Sequence, residues 1–203
     1  VRLSRTLDER GTPYIFVDTL IPQCNQLAFF GPDSRTLGYI EAKLLANAIP
    51  DDKDIAILHA VRSGNESSLQ TVVRKEGFFE YFDTMARRNR FLYANYYNED
   101  IQRSWEEFDR LFADGNNIGG AVLFNSRSYI FASYLEHRNI TDVKVIGCGV
   151  TDRNAEYLKK GYLSFLLSER PDQQGYLSIK YILEHILYGQ HERIVKYTPI
   201  DIL

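Results

Sequence analysis

The chain is 203 residues long, 44% apolar and 25% charged, a composition that excludes collagen-like, low-complexity and disordered classes. Its 24 basic residues against 27 acidic ones, net −3, lack the basic excess of a duplex-DNA binder, so direct DNA contact by this chain is not expected. Cys24 and Cys148 form neither a CxxC pair nor a disulfide framework, and no apolar run is long enough to span a bilayer.

In chain order, Val1-Arg2-Leu3-Ser4-Arg5 has no initiator Met and no apolar signal region. It reads like the middle of a helix, from which we expect a chain that begins partway through a longer protein. Tyr14-Ile15-Phe16-Val17 and Leu27 to Phe30 are short apolar runs bounded by turn residues and predict buried strands. Asp33 or Ser34 caps a helix whose Leu37, Ile40, Leu44, Leu45 and Ala48 recur at helical spacing up to Pro50. Ile55 to Leu58 predicts a strand. Asn65-Glu66-Ser67-Ser68 opens a long helix with Leu69, Val72, Val73, Phe79 and Phe82 on one face, closed by Arg87-Arg88. Phe91 to Tyr97 predicts a strand, and Ile101, Trp105, Phe108, Leu111 and Phe112 form a helical stripe. Strands over Ala121–Phe124, Val143–Ile146 and Leu163–Leu167 alternate with helices over about Ser126–His137 and Asp152–Lys160. Gly175, Ile179, Ile182, Leu183 and Ile186 mark a last helix that Gly189 stops, and Ile194 to Tyr197 is a final strand.

Strands separated by helices demand parallel pairing covered on both faces, an α/β architecture, and ligands of such sheets bind beyond the carboxyl ends of the strands. That directs attention to Asp18, the stretch from His59 to Asn65, Asn125, the segment from Cys148 to Thr151, and Ser168 to Pro171. Gly147-Cys148-Gly149 follows a strand, but Asp152 stands where a dinucleotide loop needs its third glycine. Walker, GxSxG and HExxH motifs are missing, and His59, His137, His185 and His191 are scattered. We therefore expect no catalytic residue, no cofactor and no metal.

What remains is a set of polar side chains at strand ends. Asp18 can accept two hydroxyl hydrogen bonds or serve as a turn carboxylate. Arg74 interrupts a helix face between Val73 and Gly77. It can fork onto ligand hydroxyls or a carboxylate, or lie on the helix surface. Asn125 offers donor and acceptor directly after a strand or caps the next helix, and Glu169 is either a site residue or a solvated loop acid. A few oriented polar groups of this kind suit a pocket for a sugar or another small molecule.

Taken together, Pro13-Tyr14-Ile15-Phe16-Val17-Asp18, Asp33-Ser34-Arg35-Thr36-Leu37-Gly38, Arg74-Lys75-Glu76-Gly77-Phe78, Phe124-Asn125-Ser126, Val143-Lys144-Val145-Ile146-Gly147 and Glu169-Arg170-Pro171-Asp172-Gln173-Gln174-Gly175-Tyr176 span essentially the whole chain. In this order they resemble the effector-binding core of lac-repressor-type (LacI/GalR) transcription regulators, a core shared with periplasmic sugar-binding proteins. The resemblance implies a periplasmic-binding-protein-like type I α/β fold, with parallel sheets flanked by helices in two lobes and ligand held between them. It implies an incomplete amino-terminal lobe of residues 1–30 and 170–193 and a carboxyl-terminal lobe of residues 31–169 and 194–203. Crossovers are then expected near Phe30-Gly31, Glu169-Arg170 and Arg193-Ile194. Asp18, Arg74 and Asn125 match ligand-contacting positions of the family, and Glu169 matches a hinge position often held by Gln. Gly149 and Ser126 stand where sugar-binding members usually carry Asp, which implies an altered ligand: a larger, modified or acidic sugar, or something other than a sugar.

The function implied is that of a cytoplasmic, homodimeric, ligand-sensing domain, not an enzyme. It would bind a small-molecule effector, most simply a carbohydrate, and reach DNA only through an upstream helix-turn-helix, with no membrane partner. The rival is an exported, monomeric solute receptor of a transporter. A third reading is an α/β enzyme that uses Asp18 or Glu169 as acid or base.

Overall fold

The computed structural model describes residues 2–61, 68–113, 115–189 and 192–203. The elements begin with α1 (Arg2–Glu9), β1 (Ile15–Val17), β2 (Ala28–Gly31), α2 (Ser34–Ala48), β3 (Asp54–Val61), α3 (Leu69–Thr84), β4 (Phe91–Tyr97) and α4 (Ile101–Leu111). They continue with β5 (Ile118–Leu123), α5 (Tyr129–Arg138), β6 (Lys144–Cys148), α6 (Asp152–Lys159), β7 (Phe165–Ser168), α7 (Pro171–Tyr188), β8 (Ile194–Tyr197) and β9 (Asp201–Ile202). The expected alternation is therefore present. The polar opening expected at Asn65-Glu66-Ser67 lies outside the described residues, and Ser68 caps α3 by accepting from the Thr71 amide at 3.2 Å.

The chain forms two compact units, Val1–Asp33 with Glu169–Asp201, and Ser34–Ser168 with Ile202–Leu203. The smaller unit holds a parallel sheet in the order β1-β2-β8, with α7 packed on it. Here the structure departs from the expected division. The strand over Ile194–Tyr197 was expected in the larger lobe, but it pairs in register with Ala28–Gly31 and belongs to the smaller unit. The third passage between units accordingly falls after Asp201, not at Arg193-Ile194. The last helix is present over Pro171–Tyr188 as expected. Gln174 and Ser178 are its buried residues, while Ile179, Leu183 and Ile186 are exposed, because three strands cover only one side of an 18-residue helix.

The larger unit holds a sheet in the order β4-β3-β5-β6-β7-β9. Its first five strands pair in parallel. Leu166 and Leu203 exchange both backbone hydrogen bonds at 3.0 Å, the signature of an antiparallel pair at the β7–β9 edge. Ile55, Ala56, Ile57 and Leu58 are all buried, as a central parallel strand covered on both faces requires. On one face, Phe108, Phe131 and Tyr134 pack with Ala56, Leu58 and Tyr96. On the other, α3 presents Phe78 and Phe82 to Phe91. The buried side of α3 is Arg74, Gly77, Phe78, Tyr81 and Phe82; of the expected stripe Phe82 is buried and Val73 and Phe79 are half-buried, whereas Leu69 and Val72 are exposed. That helix ends at Thr84, short of Arg87, which donates instead to the Ile49 carbonyl at 2.9 Å. No helix among the described residues is long and apolar enough to cross a membrane.

Two glycines set the α2–α3 contact. A Cβ on Gly38 would lie 1.8 Å from the Arg74 carbonyl oxygen, and one on Gly77 would lie 2.0 Å from the Arg35 carbonyl oxygen. The helix backbones touch directly, and this fixes where Arg74 starts. Gly38→Ala must push the helices apart and is expected to cost about 3 kcal/mol, the upper range for overpacking. A shift in the urea unfolding midpoint checks it, and an unchanged midpoint would contradict the close approach.

Asp54 clips the start of the sheet. Its carboxylate accepts from Arg90 Nε at 2.9 Å, Arg90 Nη2 at 2.7 Å and the Asn117 amide at 2.8 Å. The Arg90 hydrogen bonds, opposed by desolvation, hold the carboxyl below its ordinary value of 3.8. A depressed carboxylate contributes stability that is full above the unfolded value and is lost as pH falls through the folded one. We therefore expect Asp54→Asn to weaken the protein at neutral pH and to flatten the loss of stability below pH 3.8, read from denaturation midpoints across that range.

Candidate functional site

In the larger unit the carboxyl ends of β5 and β6 are built around one buried cation. Arg74, in the second turn of α3, is 1% exposed. Its Nη1 donates to the Phe124 carbonyl at 3.4 Å and to Cys148 Sγ at 3.2 Å, so one guanidinium spans the two strand ends. Cys148 is a buried free thiol and a neighbour of the site's main cation. Asn125 follows directly. Its Oδ1 accepts from the Arg127 amide at 3.0 Å, which fixes the amide's orientation, and the Tyr96 hydroxyl lies 2.6 Å from Nδ2. Arg74 and Asn125, expected separately, are thus brought to the same strand end.

The loops that carry these groups are tied by a residue the sequence did not single out. Asn154 is fully buried in the first turn of α6. Its Nδ2 donates to the carbonyls of Ser126 at 3.1 Å, Cys148 at 3.2 Å and Gly149 at 2.9 Å, while Oδ1 accepts from the Tyr129 amide at 2.9 Å. Gly149 has φ +79°, and a Cβ there would lie 2.8 Å from Ser126 Cβ. Glycine adopts that conformation without strain, and a Cβ at 149 would have to displace Ser126.

A second pair sits beside Arg74. Lys75 Nζ donates to His59 Nδ1 at 2.6 Å and lies 5.9 Å from the centre of the Phe124 ring. The His59 ring stacks on Tyr93 with centroids 5.7 Å apart. Burial holds the Lys75 ammonium below its ordinary range, and burial plus the Lys75 charge does the same for the His59 imidazole. His59 falls within the stretch expected to matter. Lys75 was hidden because only the helix's position against β3 shows what it reaches.

Asp18 and Glu169 belong to the smaller unit. Asp18 ends β1 with φ +68°, its amide donating to the Phe30 carbonyl at 3.0 Å and its Oδ2 3.4 Å from Thr19 Oγ1. Glu169 follows β7, and its carbonyl accepts from Gln174 Nε2 at 2.6 Å and Thr198 Oγ1 at 3.3 Å. The backbone of each is anchored, with the side chain half-buried. Among the described residues, no cluster of His, Cys, Asp or Glu is placed to hold a metal ion.

A family model described as a periplasmic binding protein domain matches residues 4–190. The chain belongs to the periplasmic binding protein domain family. Its α/β fold, with mostly parallel sheets flanked by helices, is that of the type I periplasmic-binding-protein-like proteins. A protein from Bacteroides fragilis assigned as a LacI transcriptional regulator is 31% identical, with TM-score 0.93 over 100% of this chain and 70% of that one. GanP, a glucose-galactose binding protein from Geobacillus stearothermophilus, is 17% identical with TM-score 0.82, over 100% of this chain and 71% of that one. A carbohydrate transporter solute binding protein from Agrobacterium radiobacter, in complex with D-arabinose, is 21% identical with TM-score 0.83, over 100% and 70%. At these lower identities the last two likenesses concern the fold. No curated protein matches this family member in sequence.

Proposed function

We propose that the chain is the ligand-sensing domain of a LacI-type transcription regulator and that its ligand is a carbohydrate. The observation that carries this is the 31% identity, over the whole chain, to the Bacteroides fragilis protein. The chemistry of the strand ends agrees with it. A buried guanidinium and an oriented amide are donors and acceptors suited to neighbouring hydroxyls. Asp18 and Glu169 enter the proposal as further ligand contacts, each a carboxylate able to accept from hydroxyls. Ligand acts by its differential affinity for two states of the protein, and the ligand leaves unchanged. In this reading the protein is cytoplasmic and homodimeric, and it meets DNA through a helix-turn-helix encoded upstream.

Isothermal titration calorimetry against a panel of monosaccharides and their acids tests the binding. Saturable heat with ligand recovered intact supports the reading, whereas no binding across the panel, or a converted product, overturns it. A second reading, an exported solute receptor, is favoured by the fold shared with the Geobacillus and Agrobacterium proteins. The coding sequence upstream of Val1 separates the two. A helix-turn-helix supports the regulator, and a signal peptide supports the receptor.

A further inference from the structure

Lys75 and His59 join α3 to the end of β3 through a hydrogen bond of 2.6 Å. Lys75 is half-buried, and among the described residues no carboxylate lies within ion-pairing distance of its ammonium. Its hydrogen-bond partner is an imidazole, at 2.6 Å. A partly desolvated cation without a counter-charge is a cost to the folded protein, and an arriving anion offsets it. The donors for such an anion are in place. An ammonium that donates one hydrogen to Nδ1 keeps two others, and the ring then carries its own proton on Nε2, a third donor. Tyr93 fixes the imidazole by stacking, with the ring planes 12° apart.

The pair is also joined to the candidate site through one residue. Phe124 gives its carbonyl to Arg74 Nη1 at 3.4 Å and its ring to Lys75 Nζ at 5.9 Å, and Asn125 is the next residue along. Two cations on consecutive positions of α3 therefore reach the same end of β5. At the end of β6, Gly149 brings no side chain and hence no carboxylate acceptor. We propose that Lys75 and His59 form an anion seat beside Arg74 and Asn125, so that the ligand is a carbohydrate bearing an acidic group. This deepens the carbohydrate reading above and rests on it. The shared chemistry is a compact oxyanion, carried as a carboxylate in a sugar acid or as a phosphate in a sugar phosphate.

The test is calorimetry on the 203-residue protein with D-glucose, D-galactose, D-glucuronate, D-galacturonate and glucose 6-phosphate at one ionic strength. The expected result is at least tenfold tighter binding of an acidic member than of its neutral parent. A uronate or a phosphate in first place identifies which oxyanion the seat takes, and either upholds it. In Lys75→Gln the preference for the acid over the neutral sugar falls at least tenfold, and in His59→Gln it falls severalfold. Circular dichroism establishes that each variant is folded, and should Lys75→Gln fail to fold, the His59→Gln preference decides. Neutral sugars that bind as tightly as their acids overturn the anion seat and leave the carbohydrate reading standing. Absence of binding by every sugar in the panel overturns the carbohydrate reading itself.

Discussion

Asn154→Ala is expected to destabilise the protein by about 4 kcal/mol. The side chain lies fully buried and shares its two amide hydrogens among three carbonyl oxygens of two loops, while its own oxygen takes the Tyr129 amide. Alanine removes every one of these contacts and leaves the partners short of hydrogen bonds in a place with little access to water. A net hydrogen bond contributes roughly 1 kcal/mol, and a buried group left without a partner costs about 1–3 kcal/mol. Four affected backbone groups, some relieved by relaxation, give the stated size. Asn154→Asp keeps the volume and the Tyr129 contact but replaces the donors with a charge facing three carbonyl oxygens, and it is expected to be worse. Urea denaturation measures both. If Asn154→Ala unfolded at the same midpoint as the parent, the two loops would be held by something else.

The same residue explains part of what the sequence conceals. The strands and helices were legible because apolar runs and helical spacing are local properties, and every expected strand from Ile15–Val17 to Ile194–Tyr197 is present within a residue or a few. Arg74 was legible as a charge interrupting a helix face. Asn154 was not, since nothing at its position distinguishes a polar residue in the first turn of a helix from one that reaches back across two strand ends. Gly38 and Gly77 lay within the motifs that carry the family resemblance, but their reason is the helix contact, a tertiary fact. The side of α3 that faces inward was misjudged in part, for a related cause. Periodicity gave an apolar stripe, whereas close packing at Gly77 rotates Arg74 into the interior and leaves Leu69 and Val72 outside. The placement of β8 depends on which strand edge is free to pair, and no short-range pattern records that.

Arg74→Met is expected to raise the ligand dissociation constant at least a thousandfold, about 4 kcal/mol. Methionine is the informative replacement, because Arg74 is 1% exposed and alanine would open a cavity whose cost would be confused with lost binding. An unbranched apolar chain fills much of that volume, so the stability cost reduces to the donor that the Phe124 carbonyl and Cys148 lose. The binding loss has a separate origin. The guanidinium holds Phe124 and Cys148 with Nη1, ties the ends of β5 and β6 together, and can present a planar fork to paired hydroxyls. Lysine at the same place keeps the charge but not the fork, so Arg74→Lys is expected to recover only a small part of the affinity. Calorimetry with the ligand of the parent protein, alongside its denaturation midpoint, separates the two effects. An Arg74→Met protein that binds as the parent does would remove Arg74 from the site, and with it the reason for reading these strand ends as a ligand seat.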